Sequence, residues 1–452
     1  MERTMGEKGG AAEVAIIGAG VIGLASAVFL RRAGLGVSVF DPMPPAGGTS
    51  FGNAGLLSVD SCVPISLPGM LREVPRWLSD PLGPLAVDPR YFPKALPWLM
   101  RWIRAGRMER VLAASDALRA LHKPGLEQYR ELLGTRFHDL VRQAGQIQLW
   151  DSDEESVEER VSRELRARHG IETQPLDRDE LRQLVPEIGS GVRRALFFPA
   201  NGHTVNPQRL VQSLGEMLQE AGGTLRRERV MKILPEGGNG AGPLYRLITN
   251  VGNHRFAKIV VAGGAWSKAL LSPLGIGLPL ESERGYHVTV RDPGFALRIP
   301  IIYKNRAFAV TPMEMGLRLA GTVEIAGLDL PLNERRATAI LHHAKTLFPS
   351  LRSEDISIWM GHRPSLPDSV RPRPYRDDRG RRDRPAGLAA RRGPSTVHRP
   401  GALPARALRL GPVSTRSGAS GAVRATYIIP KRPGIGARSS SAVFFCSSLS
   451  AA

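Results

Sequence analysis

The chain has 452 residues, 42% hydrophobic and 23% charged, which places it among globular proteins of two or three domains and excludes a fully disordered or collagen-like chain. A formal charge of +20 would suggest a nucleic-acid or anionic-membrane partner, but residues 371–452 hold sixteen Arg and one Lys against three Asp, so +14 of it lies in the last 82 residues. The two cysteines, Cys62 and Cys446, exclude a disulfide framework, no Cys/His cluster offers a metal site, and a reducing cytoplasm is the simplest compartment.

After a charged, Gly-rich leader over 1–12, Val14-Ala15-Ile16-Ile17 is a continuous apolar run, the pattern of a parallel strand covered on both faces. Residues 21–33 lack a polar face and stop at Gly34, as expected of a helix packed under a sheet, and Val37-Ser38-Val39-Phe40 is a second strand ending at Asp41. Together they form one βαβ unit. The apolar stretch 14–30 is interrupted by Gly18, Gly20 and Gly23, so it reads as a strand and a helix meeting at a glycine turn and not as a membrane span.

That turn, Gly18-Ala19-Gly20-Val21-Ile22-Gly23, is GxGxxG in the context that gives the motif meaning. Gly18 permits the tight turn, Gly20 lets backbone approach a pyrophosphate, and Gly23 allows close helix–strand packing. The helix N-terminus offers unpaired N–H groups and partial positive charge to phosphate, and Asp41 can accept hydrogen bonds from ribose hydroxyls. Thr49-Ser50-Phe51-Gly52-Asn53-Ala54-Gly55 is a second small-residue segment, able to approach another part of the same cofactor. Nicotinamide and flavin dinucleotides both use this fingerprint.

Eight prolines between residues 60 and 97 argue against long regular elements there. Residues 99–133 are helical in pattern, with Trp98 and Trp102 on one face, and 151–168 read as a solvated, charge-dense helix. An amphipathic helix over 206–221 is followed by strands at 224–234, 244–250 and 256–262, the last ending at Gly263-Gly264. Further strands are expected at 286–290 and 317–323 and a helix at 334–348. This succession predicts an α/β nucleotide-binding domain with a second sheet domain inserted into it.

The segments GAGVIG (18–23), TSFGNAGLLS (49–58), NGHTVNPQRL (201–210), VVAGGAWS (260–267), LPLESERGYH (278–287), RLAGTVEIAG (318–327) and GHRPSLPDS (361–369) resemble, in order, the FAD-dependent D-amino-acid oxidase family, most closely its bacterial D-amino-acid dehydrogenase branch. The resemblance spans 13–369. It implies FAD as cofactor and a Rossmann-like FAD-binding domain of the glutathione-reductase type, built from 13–60, 200–275 and 346–370. An antiparallel-sheet α+β substrate domain would comprise 61–199 and 276–345. Gly18, Gly20, Gly23 and Asp41 would hold the ADP half; Thr49, Ser50, Ala54 and Gly55 would line the passage to the flavin; the backbone of Val230 would contact adenine; and Gly263 and Gly264 would end a strand beside the cofactor.

For substrate, the resemblance assigns Arg363 to the α-carboxylate, a role suited to a guanidinium fork. Tyr286 and His287 should point to opposite faces of a strand, so at most one meets the flavin; Tyr286 is the favoured one, with Tyr303 similarly placed by the family pattern. His203 and His362 are read as loop histidines. The implied reaction is oxidation of the α-carbon of an amino acid, a D-amino acid by resemblance, by hydride transfer to flavin N5, giving an imino acid that hydrolyses to a 2-oxo acid and ammonia. No side-chain base is nominated. Oxidation of glycine, sarcosine or hydroxyproline stays open, and electrons would pass to a quinone or carrier, with a peripheral membrane contact, or to O2.

The family continues beyond PDS with a strand and a GHGHxGxT-type loop that never appears here; residues 371–452 instead carry nine Pro and nine Gly and read as a disordered basic tail. A change of reading frame near residue 370 is the expected origin, a genuine basic tail the alternative. Absence of that loop would remove positive partial charge from the flavin's pyrimidine edge. From another class, a non-catalytic remnant whose tail binds nucleic acid or anionic lipid, and an NAD-dependent dehydrogenase, are the competing readings.

Overall fold

The computed structural model describes residues 13–80, 82–236 and 244–367, together with the two short strands Tyr427–Ile428 and Ala442–Val443. The leader, the expected tail and the segment where a frame change was inferred lie outside the described residues, those two short strands excepted.

Strand β1 (Val14–Ile17) is buried along its whole length because both faces are covered. It pairs in parallel with β2 (Val37–Phe40) on one side and β4 (Lys258–Val261) on the other, while β3 (Thr224–Arg226) extends the sheet beyond β2, giving the order β3-β2-β1-β4. Val14, Ile16, Val37, Val39 and Val260 pack against the helices Val21–Arg32 and Pro207–Glu220. The side chains that alternate with them, Ala15, Ile17, Phe40, Ile259 and Val261, face Val230, Ile233, Leu247 and Phe256 of an antiparallel three-stranded sheet. The helix Pro207–Glu220 begins where Asn206 accepts the Arg209 N–H at 3.0 Å and Pro207 needs no N–H partner.

Among the described residues the second sheet has nine strands. Its edge is β7 (Ile356–Ser365), followed by β5 (Glu281–Val290) and β6 (Gly316–Ile325), then Phe308–Met313, Ile301–Tyr303, Gln146–Trp150, Arg194–Phe198 and Gln174–Leu176, with Leu85–Val87 beside β6. Pairing is antiparallel except at Leu85–Val87 and between Ile301–Tyr303 and Gln146–Trp150. The helix Glu334–Leu347 covers one face through Ala337, Ile340, Ala344 and Leu347.

Three expectations change. Residues 346–370, assigned above to the cofactor domain, supply β7, which pairs with β5 from Ile356↔Val290 to Ser365↔Glu281; ten paired residues bind it to the substrate sheet. The proline-rich stretch is also helical in part, at Met70–Ser79 and Phe92–Ala105. Pro93 sits in the first turn, where an N–H would be unpaired anyway, and Pro97 is on the exposed side, where water can satisfy the carbonyl it strands. The single helical stretch expected over 99–133 is three helices, interrupted at Gly106-Arg107 and Lys123-Pro124.

Candidate active site

The glycine turn between β1 and the helix Val21–Arg32 leaves no room for a side chain at Gly18 or Gly23. Gly18 has φ +113°, and a Cβ there would stand 2.4 Å from the Ala262 carbonyl oxygen at the end of β4. At Gly23 a Cβ would lie 1.9 Å from the Gly18 oxygen. Gly20 is the helix N-cap and has no side chain with which to cap it. Ser50 does so from 29 residues away, its Oγ accepting the Val21 N–H at 3.0 Å. Asp41, at the end of β2, accepts the Ala19 N–H through Oδ2 and the Met43 N–H through Oδ1, both at 2.8 Å. Each oxygen retains a lone pair for a further donor. A helix N-terminus cleared by glycine, with a hydroxyl and a carboxylate at its rim, fits the pyrophosphate and ribose of a dinucleotide.

The 49–57 segment ties this turn to the second sheet. Thr49 donates to the His362 carbonyl oxygen at 2.9 Å, one residue before Arg363. Asn53 Oδ1 accepts the Gly55 N–H at 2.6 Å, with Gly55 at φ +76°, and Ala54 packs with Leu56 against Ile302, Ala309 and Ala320. Arg318 of β6, which sequence reasoning missed, donates to the carbonyls of Phe51 at 3.0 Å and Asn53 at 2.9 Å. Burial lowers its pKa to about 10, so it stays charged at neutral pH. Only the alternation of β6 could have hinted that Arg318 faces this segment while Leu317 and Leu319 face the helix Glu334–Leu347.

On the same face of the second sheet, register brings three pairs of β5 and β7 together: His287 with Trp359, Gly285 with Gly361, and Glu283 with Arg363. His287 and Trp359 stack with ring centres 5.1 Å apart, and Glu283 Oε2 accepts from Arg363 Nη2 at 3.1 Å. Glycine between these pairs is required by space. A Cβ at Gly361 would stand 2.0 Å from the Trp359 ring, one at Gly52 1.8 Å from it, and one at Gly285 3.1 Å from Arg363 Nε. That Nε is buried and has no hydrogen-bond partner among the described residues.

The two tyrosines lie on the other face. Tyr286, 2% exposed, donates to Glu324, which also pairs with Arg284 at 3.0 Å. Tyr303 donates to Asp151 Oδ2 at 2.8 Å, and burial with that carboxylate pushes its pKa to about 12. Both belong to the core under the helix Glu334–Leu347, so the structure does not bring them to Arg363 as expected. Of the 286–287 pair it is His287 that shares the Arg363 face. Val230 is buried against Phe40's layer at the start of its strand. Gly263 and Gly264 follow β4, with Gly264 at φ +56° and nothing within 4 Å of a Cβ there. His203 and His362 are on strands, not loops.

His287 lies beside the Gly52 carbonyl, with Nδ1 3.1 Å from its oxygen, which assigns the proton to Nδ1. Burial, with Arg318 nearby, pushes its pKa down to about 3; burial and Arg142 push His203 to about 4. Both are therefore neutral in the folded chain near pH 7. Below the unfolded value of about 6.5 the unfolded chain binds protons that the folded chain refuses, so stability is lost as pH falls from there toward 4. Each histidine should contribute a slope of about 1 kcal/mol per pH unit. Urea melts from pH 7 to 5 should show the loss, and His287→Asn should flatten it; parallel profiles would remove His287 from the account.

A family model described as FAD dependent oxidoreductase (DAO) matches residues 13–384. A D-amino-acid oxidase of Bradyrhizobium diazoefficiens is 36% identical over 365 residues, 79% of this chain and 86% of that protein. A D-amino acid dehydrogenase of Dechloromonas aromatica is 31% identical over 371 residues, 79% of this chain and 88% of that protein. Among solved structures, glycine oxidase from Geobacillus kaustophilus superposes with a TM-score of 0.57 at 22% identity, covering 79% of this chain and 84% of that one.

Proposed function

Because the chain belongs to the DAO family of FAD-dependent oxidoreductases, we propose that it oxidises the α-carbon of a D-amino acid, with Arg363 anchoring the substrate carboxylate. One observation carries this reading: a single segment reaches from the dinucleotide turn, through Ser50, to the strand bearing Arg363, through Thr49. Gly18, Gly20, Gly23 and Asp41 would hold the pyrophosphate and ribose of FAD, the Val230 backbone its adenine, and Thr49, Ser50, Ala54, Gly55, Gly263 and Gly264 its path toward the second sheet. When bound, FAD takes up the α-hydrogen with two electrons.

The residues of the chain supply placement. Arg363 fixes the carboxylate through its fork, and its orphaned Nε is the donor a carboxylate would satisfy. Glu283, whose Oε2 accepts from that guanidinium at 3.1 Å, holds it in place. His287, neutral and buried, orders Trp359 and offers no acid at neutral pH. The ammonium proton goes to water; loss of the α-hydrogen leaves an imino acid, and water adds to give a 2-oxo acid and ammonia. Such positioning can lower a barrier by about 7–11 kcal/mol in the best cases. Electrons then leave to a quinone or carrier at a membrane surface. No helix among the described residues is long and apolar enough to cross a membrane, so this contact would be peripheral.

The visible spectrum of the purified chain tests the reading. Flavin absorbance should be present or restored by added FAD, and D-amino acids should bleach it without oxygen. A preparation that stays colourless in excess FAD would overturn it, and stoichiometric oxygen uptake with peroxide release would overturn the choice of acceptor.

A further inference from the structure

The helix Phe92–Ala105 buries Ala95 and Trp98 against Ile325 and its neighbours, yet leaves a second apolar stripe uncovered. Phe92, Leu96 and Met100 recur every four residues and are 45%, 42% and 39% exposed, with Met108 at 42% just beyond the helix end. A stripe of this spacing is one continuous ridge on a helix. Its surroundings are basic: Arg90, Lys94, Arg101, Arg104, Arg107 and Arg110 are all exposed, and Glu109 is the one acid between residues 90 and 110. None of the six cations forms an ion pair among the described residues.

A cleft of about 270 Å³ adjoins the helix, walled by Leu67, Met70, Trp102 and Ile103, with Arg104 and Arg107 also lining it. Apolar walls beside two guanidinium groups suit the junction between an acyl chain and an anionic headgroup. An exposed apolar ridge that served only as protein surface would be unusual, and one flanked by cations repels a second copy of itself.

We infer that the helix Phe92–Ala105 is the docking surface of this protein for an anionic lipid membrane, its Phe92-Leu96-Met100 ridge entering the interface and its arginines and Lys94 contacting headgroups. Apolar burial and attraction to anionic lipid together are what hold a helix in the plane of a membrane. The inference rests on the acceptor assigned above only in its purpose: it places the protein where a quinone is available.

Co-sedimentation of the full flavin-loaded chain with vesicles of phosphatidylglycerol and phosphatidylcholine tests it. Binding should weaken with salt and be absent from pure phosphatidylcholine. Leu96→Glu with Met100→Glu should lower it by about tenfold or more while flavin absorbance is retained, and Arg101→Glu with Arg104→Glu should remove part of the salt-sensitive binding. Binding unchanged in both variants would assign it to residues 371–452 and overturn the inference. So would a Leu96→Glu/Met100→Glu change in oligomeric mass without an effect on vesicles, which would make the ridge a contact between copies. Vesicle binding lost in the variant, in a protein that reduces oxygen and not quinone, would uphold the docking surface and sink the acceptor reading alone.

Discussion

Replacing Arg363 with Leu should lower kcat/KM for D-amino acids by about a hundredfold to ten-thousandfold, the loss expected when two charge-assisted hydrogen bonds to a carboxylate, each worth roughly 1.5–3 kcal/mol, disappear. The flavin should stay bound, because Arg363 touches Glu283 and not the glycine turn. One competing effect has to be separated. Leucine leaves Glu283, which has 11% side-chain exposure, without its partner, and an unpaired buried carboxylate destabilises the fold by several kcal/mol. Arg363→Lys keeps a positive charge beside Glu283 but loses the fork, so it should fold as the parent does and still lose roughly tenfold to a hundredfold. Anaerobic bleaching rates against substrate concentration measure both. If the lysine variant turns over like the parent, the carboxylate is bound elsewhere.

Gly23→Ala should abolish FAD binding. Its Cβ would stand 1.9 Å from the Gly18 carbonyl oxygen, and that obstacle is backbone, so the first turn of the helix Val21–Arg32 must move away from the strand it caps. Gly20→Ala meets only the Ser50 hydroxyl, at 3.1 Å, which can rotate. That variant should fold and bind FAD more weakly, with the Val21 N–H losing its partner. Gly34→Ala is the control: φ is +82° but nothing lies within 4 Å of the new Cβ, so the cost is backbone strain alone, about 1 kcal/mol, and the protein should remain yellow. The ratio of flavin to protein absorbance ranks the three, and a yellow Gly23→Ala protein would show that close packing at this turn is not what admits the cofactor.

The two variants probe parts of the protein that differ in how they are encoded. The turn, its helix and Asp41 lie within about 30 residues, and each local choice there is a response to neighbouring backbone, so the dinucleotide site is legible from composition and spacing. Arg363 is legible only through a resemblance between motifs. Glu283 and Trp359 carry no local mark at all, while strand alternation marks Arg318 and His287 only as residues of one face or the other. The proline-rich segment misleads in the opposite sense, since Pro93 and Pro97 stand where a helix tolerates them.

From its own order of residues the chain determined the βαβ turn, the two-faced cover of Val14–Ile17 and the alternation that sends Tyr286 and His287 to opposite sides. Which side is which was decided only in three dimensions. Alternation has period two and is blind to the identity of the faces. The helix Glu334–Leu347 buried Tyr286 and Tyr303, and the ten-residue register of Glu281–Val290 with Ile356–Ser365 set Glu283 against Arg363 and His287 against Trp359. Thr49, 313 residues from His362, then joined that face to the cofactor turn, a contact that no spacing within either segment could announce.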